Sequence, residues 1–507
     1  MYPLILSLSK ESGYMPTPNT SAQQSKSRGA TMQPRYACRT ECLMKDIVLT
    51  SATKLARAIR TKRLSSAEVL DACLDRIEAV NPKLNAVVQL TADAARKRAR
   101  EAEKALAKGE VWGPLHGVPF TVKDALEVAG VVSSGGTLGR ANFVPDKDAT
   151  AVARMKAAGG VLLGKTNLTE ACLGWESDNL VYGRTSNPYD LSRIPGGSSG
   201  GEGAIVAAGG SPLGIGSDAG GSVRVPSHYC GLAGIKPTSG RTPRTGHWPR
   251  LSGFPDAFNQ LGPLARRVED LPLALSVICG PDGVDPHVVP MPLPDYRKVK
   301  LAGLRVAMYT DNGICAAQPE TKATVLAAAK ALEDVGVIVE ERRPPDIEEA
   351  HGLLFSIWGA DGGQGVRDML KAAGSTRTHK VVAAFQEKQG ARATPAAEMA
   401  KMLMRLDAFR SDMLAFMDDY DAILCPTGAG PAVPHGATLE KDGYKELTYT
   451  STYNLTGWPA GVVRCGTSGG GLPISAHVAA KPWREDVVIA VLAHLEQALG
   501  GYTSPAL

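Results

Sequence analysis

No apolar run in this 507-residue chain approaches the roughly 20 residues that a bilayer-crossing helix needs, so no membrane span is expected. No dense stripe of Lys and Arg stands out either. A formal charge of +5 is small for the length, which argues against nucleic acid or another polyanion as partner. The nine cysteines are scattered, and Cys38 and Cys42 have no second Cys or His pair at zinc spacing. No metal is therefore expected, and the thiols read as free ones in a reducing, cytoplasmic setting. Acids are nearly missing from residues 1–43, where Glu11 and Glu41 stand among Ser, Thr, Gln and Pro. Such a stretch reads as a disordered tail; a transit peptide or a mis-assigned start shares the composition. No internal repeat or long low-complexity linker divides the rest of the chain, so residues 44–507 are expected to form a single domain.

What is present alternates. Ser65-Ser66-Ala67-Glu68 has the spacing of a capping box, and Leu70, Cys73, Leu74, Ile77 and Val80 recur at helical intervals until Asn81-Pro82 stops the helix. Residues 84–108, rich in Ala, Lys, Arg and Glu, are expected as another helix. Pro119-Phe120-Thr121-Val122 reads as a short apolar strand with Lys123 at its exit. Helix 148–158 leads through Gly159-Gly160 into strand 161–163, and helix 203–208 precedes strand 213–216. A strand at 304–308, a helix at 320–335 and a strand at 337–339 come next. This alternation implies an α/β architecture around a largely buried sheet flanked by helices. Residues 345–420 read as mainly helical, with Trp358, Phe385, Met402 and Phe409 along them. They are expected either to cap a pocket or to pack into the main core.

Three motif matches fail on context. Gly159-Gly160-Val161-Leu162-Leu163-Gly164-Lys165-Thr166 fits the phosphate-loop pattern letter for letter, but a helix precedes it and its variable positions are themselves the strand. Gly196-Gly197-Ser198-Ser199-Gly200 fits the nucleophile elbow, yet the segment before it is polar and ends in Pro195 instead of being a strand. An elbow would also need a downstream acid and histidine, for which His228, His435 and His477 are the candidates; a Ser-His-Asp esterase using Ser198 stays the alternative chemistry. Ser51-Ala52-Thr53-Lys54 with Ser177-Asp178-Asn179 is a weak match to penicillin-recognising enzymes, and Ser51 reads as a helix cap.

A different pair of serines carries more. Ser198 and Ser222 lie 24 positions apart, each in a glycine run, with Lys123 75 residues upstream. Hydrolysing an amide needs an activated nucleophile, donors for the oxyanion and an acid for the leaving amine. Ser222 follows Gly220-Gly221, where the missing side chains let a carbonyl approach closely, so the amides of Ala219, Gly220, Gly221 and Ser222 suit an oxyanion hole. An exposed lysine is protonated at neutral pH, but one buried among glycines and apolar residues loses affinity for its proton and can act as a base. Ser198, flanked by Gly197, is placed to relay the proton between Lys123 and the nucleophile.

Around these residues the chain resembles the amidase signature family, in its fatty acid amide hydrolase-like branch. The resemblance runs from Asn187-Pro188-Tyr189-Asp190 through the two glycine–serine runs to Gly231-Leu232-Ala233-Gly234-Ile235-Lys236-Pro237-Thr238. Weaker matches extend it over residues 45–500. It implies one large mixed sheet flanked by many helices, no metal and no cofactor. It further implies a triad in which Ser222 is the nucleophile, Ser198 a bridging serine after a cis Gly197–Ser198 peptide, and Lys123 the base. Ser199, Asp218 and Arg224 would support it through hydrogen bonds. Cys172, Leu173, Gly174 and Trp175 match the segment facing the acyl pocket and imply an apolar or aryl substrate. Ser475 and His477 depart from the family's usual Gly and Gln. The expected function is hydrolysis of small-molecule amides, with esters or carbamates as further substrates. The amidase component of a tRNA-dependent amidotransferase is the alternative, although Glu202-Gly203 fits the hydrolase branch better. The sequence leaves a homodimer open.

Overall fold

Ser65 Oγ accepts from the Glu68 N–H at 3.0 Å while Glu68 Oε2 accepts from the Ser65 N–H at 2.7 Å, and this reciprocal cap opens helix Ser66–Leu84. Val69, Leu70, Cys73, Leu74, Ile77 and Val80 form its buried face. The helix runs past its expected stop and includes Pro82. In the last turn a missing N–H costs a single bond, and Asn81 Oδ1 fixes the chain just beyond the helix by accepting from the N–H groups of Ala86 and Val87, each at 2.8 Å. The next segment is not one helix. Asn85 turns left-handed at φ +50°, Val87–Leu90 becomes a strand, and the helix occupies Ala92–Ala107. The β-branched pair Val87-Val88 and the unpaired edge of a neighbouring strand together outweigh the helical composition around them.

The structure, a computed structural model, describes residues 47–250, 257–390 and 392–507. The acid-poor stretch 1–43, with Cys38 and Cys42, lies outside them. Among the described residues Cys73, Cys172, Cys230, Cys279, Cys315, Cys425 and Cys465 are free, and no helix is long and apolar enough to cross a membrane.

Eleven strands build one mixed sheet: β1 (Val87–Leu90), β2 (Pro119–Lys123), β3 (Val161–Thr166), β4 (Leu213–Asp218), β5 (Ala233–Lys236), β6 (Gln260–Ala265), β7 (Arg305–Met308), β8 (Ile338–Glu341), β9 (Ala422–Pro426), β10 (Ala460–Thr467) and β11 (Pro473–Ala480). Their order is β1-β3-β2-β4-β6-β5-β10-β11-β9-β7-β8. β2, β3 and β4 are buried along their whole length, as expected of strands covered on both faces. β3 feeds two cores in alternation: Val161 and Leu163 join Leu70 and Ile205 on one side, Leu162 joins Val122 and Ile215 on the other. β2 is parallel to both β3 and β4. Their C-terminal ends therefore emerge together, and Lys123 stands beside Ser217 and Asp218, where open α/β sheets place their sites.

The segment read as mainly helical consists of helices Glu349–Trp358, Gln364–Ala372, Lys380–Gln389 and Ala396–Phe416. Leu406 and Phe409 pack with Ile423 of β9, whereas Trp358 and Phe385 pack against Ala171 and Leu173. One end is thus anchored in the core and the other lies over the segment before the first glycine–serine run.

Candidate active site

Lys123 is fully buried, and its Nζ lies 2.6 Å from Ser198 Oγ and 3.0 Å from Ser217 Oγ. Burial pulls its pKa below the ordinary lysine value, against the opposing influence of the Cys172 thiol and of the Asp218 and Glu202 carboxyls. Glu202 shares that interior. Its carboxyl accepts from Thr121 Oγ1 at 2.6 Å and from Thr166 Oγ1 at 2.9 Å, and burial pushes its pKa up to about 8 despite those bonds and the nearby lysine. Burial thus drives both groups toward their neutral forms. An acid with a raised pKa contributes stability that is complete below its unfolded value and is lost as pH rises through its folded value. Glu202→Gln is expected to abolish the part of the stability loss that this carboxyl causes between about pH 5 and pH 8. Urea midpoints across that range measure it, and identical pH slopes in variant and parent would mean that Glu202 stays ionised.

The Gly197–Ser198 peptide is cis. A Cβ at Gly197 would fall 2.6 Å from the Trp175 carbonyl carbon and 2.8 Å from Thr169 Oγ1, so only glycine fits between them. Ser199 Oγ bonds to the Ser217 backbone, accepting from its N–H at 3.4 Å and donating to its C=O at 3.3 Å, and so ties the first glycine–serine run to β4. The second run hangs on Asp218. Its carboxylate accepts from the N–H groups of Gly221 at 2.7 Å and Val223 at 3.1 Å, from Asn454 Nδ2 at 2.9 Å, and from Arg224 Nε at 3.0 Å and Nη2 at 2.9 Å. Burial alone would raise the Asp218 pKa; the guanidinium and Asn454 outweigh it and hold the carboxyl well below the usual range.

Of the four amides expected to face an oxyanion, that of Gly221 is therefore already engaged, because the carboxylate that shapes the loop takes its N–H. The N–H groups of Ala219, Gly220 and Ser222 have no backbone or side-chain partner among the described residues. The Gly220 carbonyl accepts from Thr450 Oγ1 at 2.8 Å and from Trp175 Nε1 at 3.3 Å. Gly221 sits at φ +117°, where a Cβ would come within 2.4 Å of Thr450 Oγ1, whereas one at Gly220 would meet nothing within 4 Å. The space over Gly220 is open. Ser222, 8 % exposed, lines a narrow recess together with Ser198, Ser217, Ala219, Cys172, Leu173, His247, Asn259 and Trp358.

A larger cavity of ≈ 590 Å³ adjoins the recess and shares Leu173 with it. Gly174 and Trp175 line it, with His351, Phe355, Phe385, Met402 and Tyr444 opposite. Its aromatics contact one another: Trp175 and His351 stack with ring centroids 6.2 Å apart, His351 and Phe355 stand at 4.5 Å, and Phe355 meets Phe385 edge-on at 6.1 Å. Trp358, a wall of the recess, stacks on Phe355 at 5.7 Å. The segment 172–175 and the helices Glu349–Trp358, Lys380–Gln389 and Ala396–Phe416 therefore line one largely apolar, aromatic chamber beside the Lys–Ser cluster.

Residues 68–489 match the family model described as Amidase. The chain belongs to the amidase family. It is 34% identical over 464 residues to an acylamidase of Rhodococcus erythropolis, covering 88% of this chain and 94% of that one. It is equally 34% identical, over 473 residues, to the A component of the glutamyl-tRNA(Gln) amidotransferase of Carboxydothermus hydrogenoformans, covering 88% and 96%. Among solved structures it resembles fatty acid amide hydrolase with a TM-score of 0.83 at 25% identity, over 92% of this chain and 88% of that one. The mixed eleven-stranded sheet is thus an amidase fold, and the protein is an amidase, a hydrolase of carbon–nitrogen bonds.

Against the amidase fold the motif matches resolve. Lys165 of the phosphate-loop pattern lies in β3 and pairs at 2.8 Å with Asp124, both side chains wholly buried. No strand precedes Ser198, and the three histidines considered for an elbow are committed elsewhere. His228 bonds to the Gly430 carbonyl and the Ser475 N–H, His435 to the Leu191 carbonyl, and His477 Nε2 accepts from Arg224 Nη1 at 3.2 Å. Both departures from the family pattern are thereby placed. His477 buttresses the guanidinium that holds Asp218, and Ser475 meets His228 through its backbone. The sequence reading missed Ser217 and His247. Ser217 stands one residue before Asp218, and the polar pair that ends the otherwise apolar strand β4 is the signal that could have found it. His247, between Gly246 and Trp248, carries no signal of spacing or periodicity.

Proposed function

We propose that this amidase is a serine hydrolase of small-molecule amides bearing an apolar or aryl group, and that esters and carbamates share the site. Ser222 Oγ attacks the carbonyl carbon while its proton passes to Ser198 and the Ser198 proton to the neutral amine of Lys123. The N–H groups of Ala219, Gly220 and Ser222 receive the oxyanion. The C–N bond breaks as the Lys123 ammonium returns its proton through Ser198 to the leaving nitrogen. Water then attacks the acyl ester by the same relay, releasing the acid and restoring Ser222. Residues 44–507 act in this reading as one catalytic unit and the helices between 349 and 416 as its cap. The observation that carries the proposal is a fully buried lysine amine 2.6 Å from Ser198 Oγ.

An active-site serine reagent such as a fluorophosphonate is expected to label Ser222; peptide mapping that finds the label on Ser198 overturns the assignment. In a panel of acyl amides, anilides, esters and aryl carbamates, aryl substrates are expected to exceed short aliphatic amides by about 10- to 100-fold in kcat/KM, the worth of burying one ring in an aromatic chamber. The 34% identity to an amidotransferase component supports a second reading, an amidase that passes ammonia to partner proteins. That reading requires glutaminase activity that emerges only with those partners; turnover of the panel by the isolated chain excludes it.

A further inference from the structure

The hydrogen bonds behind Lys123 have a fixed direction, and a histidine sets it. His247 Nδ1 lies 3.0 Å from the Pro249 carbonyl oxygen, which can only accept, so Nδ1 carries the proton. Burial, opposed by the Pro249 bond, lowers the His247 pKa to about 3, so the ring is neutral and Nε2 is an acceptor. Nε2 lies 2.9 Å from Ser217 Oγ. Ser217 must therefore donate its one proton to His247 and accept, at 3.0 Å, from an N–H of Lys123. With that N–H spent on Ser217, the lone pair of the neutral amine is left for the Ser198 hydroxyl at 2.6 Å.

Nothing about the ring's placement is loose. Leu126 and His247 form an antiparallel bridge, Glu127 N–H donates to the Gly246 carbonyl at 2.9 Å, and Trp248 N–H donates to the Ala125 carbonyl at 2.7 Å. The loop bearing His247 is thus stitched to the residues just after Lys123 in the chain. His247 also lines the recess that holds Ser198 and Ser222.

We infer that His247 is a positioning residue: by accepting the Ser217 proton it keeps Ser217 from donating to Lys123, and so aims the lysine lone pair at Ser198. This rests on the proposed role of Lys123 as base. Without the acceptor, the Ser217 hydroxyl turns toward the amine and competes with Ser198 for its lone pair.

The test compares His247→Leu, His247→Gln, Ser217→Ala and the His247→Leu/Ser217→Ala double variant on one amide substrate. His247→Leu is expected to lower kcat by about 10- to 100-fold with KM within about twofold, the usual scale for losing an orienting partner. His247→Gln, whose Oε1 can replace Nε2 as acceptor, is expected to recover most of that loss. In the Ser217→Ala background the leucine substitution is expected to cost nothing further, since the residue through which it acts is gone. A purely structural histidine would give the same loss in either background, and that additivity overturns the inference, as does full kcat in His247→Leu or a glutamine variant as impaired as the leucine one. If His247→Leu does not fold, His247→Met, which likewise lacks the ring acceptor, takes its place in the same comparison, and full kcat there overturns the inference. Failure of the underlying reading looks different: Lys123→Met would then keep its turnover. An inactive Lys123→Met beside a fully active His247→Leu rejects the positioning role alone.

Discussion

Lys123→Met is expected to lower kcat on an amide by about 10²- to 10⁴-fold while leaving the protein folded. Methionine preserves most of the volume of the buried stem and removes only the amine, whose two bonds go to serine hydroxyls. The amine serves twice in the proposed cycle, as base for Ser222 and as acid for the departing nitrogen, so both halves of acylation fail together. The pH profile carries the sign. Below its pKa the lysine is an ammonium with no lone pair, so kcat/KM of the parent rises with pH along a limb set by this group. Burial moves that limb to lower pH than an exposed lysine would give. The limb should vanish in Lys123→Met, leaving a low, flat rate. Stopped assays from acid to alkaline pH measure it; undiminished turnover, or an unchanged limb in the variant, would exclude Lys123 as the base.

Ser198 and Ser222 stand out in the sequence because each lies in a glycine run, and glycine marks the places where backbone must come close. Gly197 has no room for a Cβ against Trp175 and Thr169, and Gly221 has none against Thr450. These steric demands leave a trace in the residues themselves. Hydrogen-bond direction leaves none. Ser217 and His247 stand 30 positions apart and meet only because β4 and the 244–248 loop converge on the exit of β2. The engagement of the Gly221 amide by Asp218 was hidden for the same reason, since it depends on how the loop closes. β1 was hidden by composition. Its four residues sit between two helix-forming stretches, and only pairing with β3 makes them a strand. The helical character of residues 345–420 is read from the sequence, which leaves capping a pocket and packing into the core as alternatives; the contacts divide between them, Leu406 and Phe409 against Ile423 and Trp358 and Phe385 against Ala171 and Leu173.

Arg224→Met is expected to be the most destabilising single change near the site, by about 3–5 kcal/mol, because it strands a wholly buried carboxylate. The guanidinium does more than neutralise Asp218. Its Nη1 donates to the Thr450 carbonyl at 3.0 Å and to His477, and its Nη2 bonds to Asn454 Oδ1 at 2.5 Å, so three segments lose a common donor. The loss should depend on pH in a defined direction. In the parent, Asp218 has a depressed pKa, so the stability it contributes is present above the unfolded value of 3.8 and is lost only in stronger acid. In the variant, burial without a cation raises that pKa, and the carboxyl takes up a proton as pH falls. The stability deficit relative to the parent should therefore be greatest at neutral pH and shrink toward about pH 4. Because Asp218 also holds the Gly221 and Val223 amides, kcat should fall with stability even where the variant is still folded. Paired urea titrations at pH 4, 6 and 8 check the first statement. A deficit that is constant across them, or below about 1 kcal/mol, would mean that solvent or a neighbouring group solvates the carboxylate in place of Arg224.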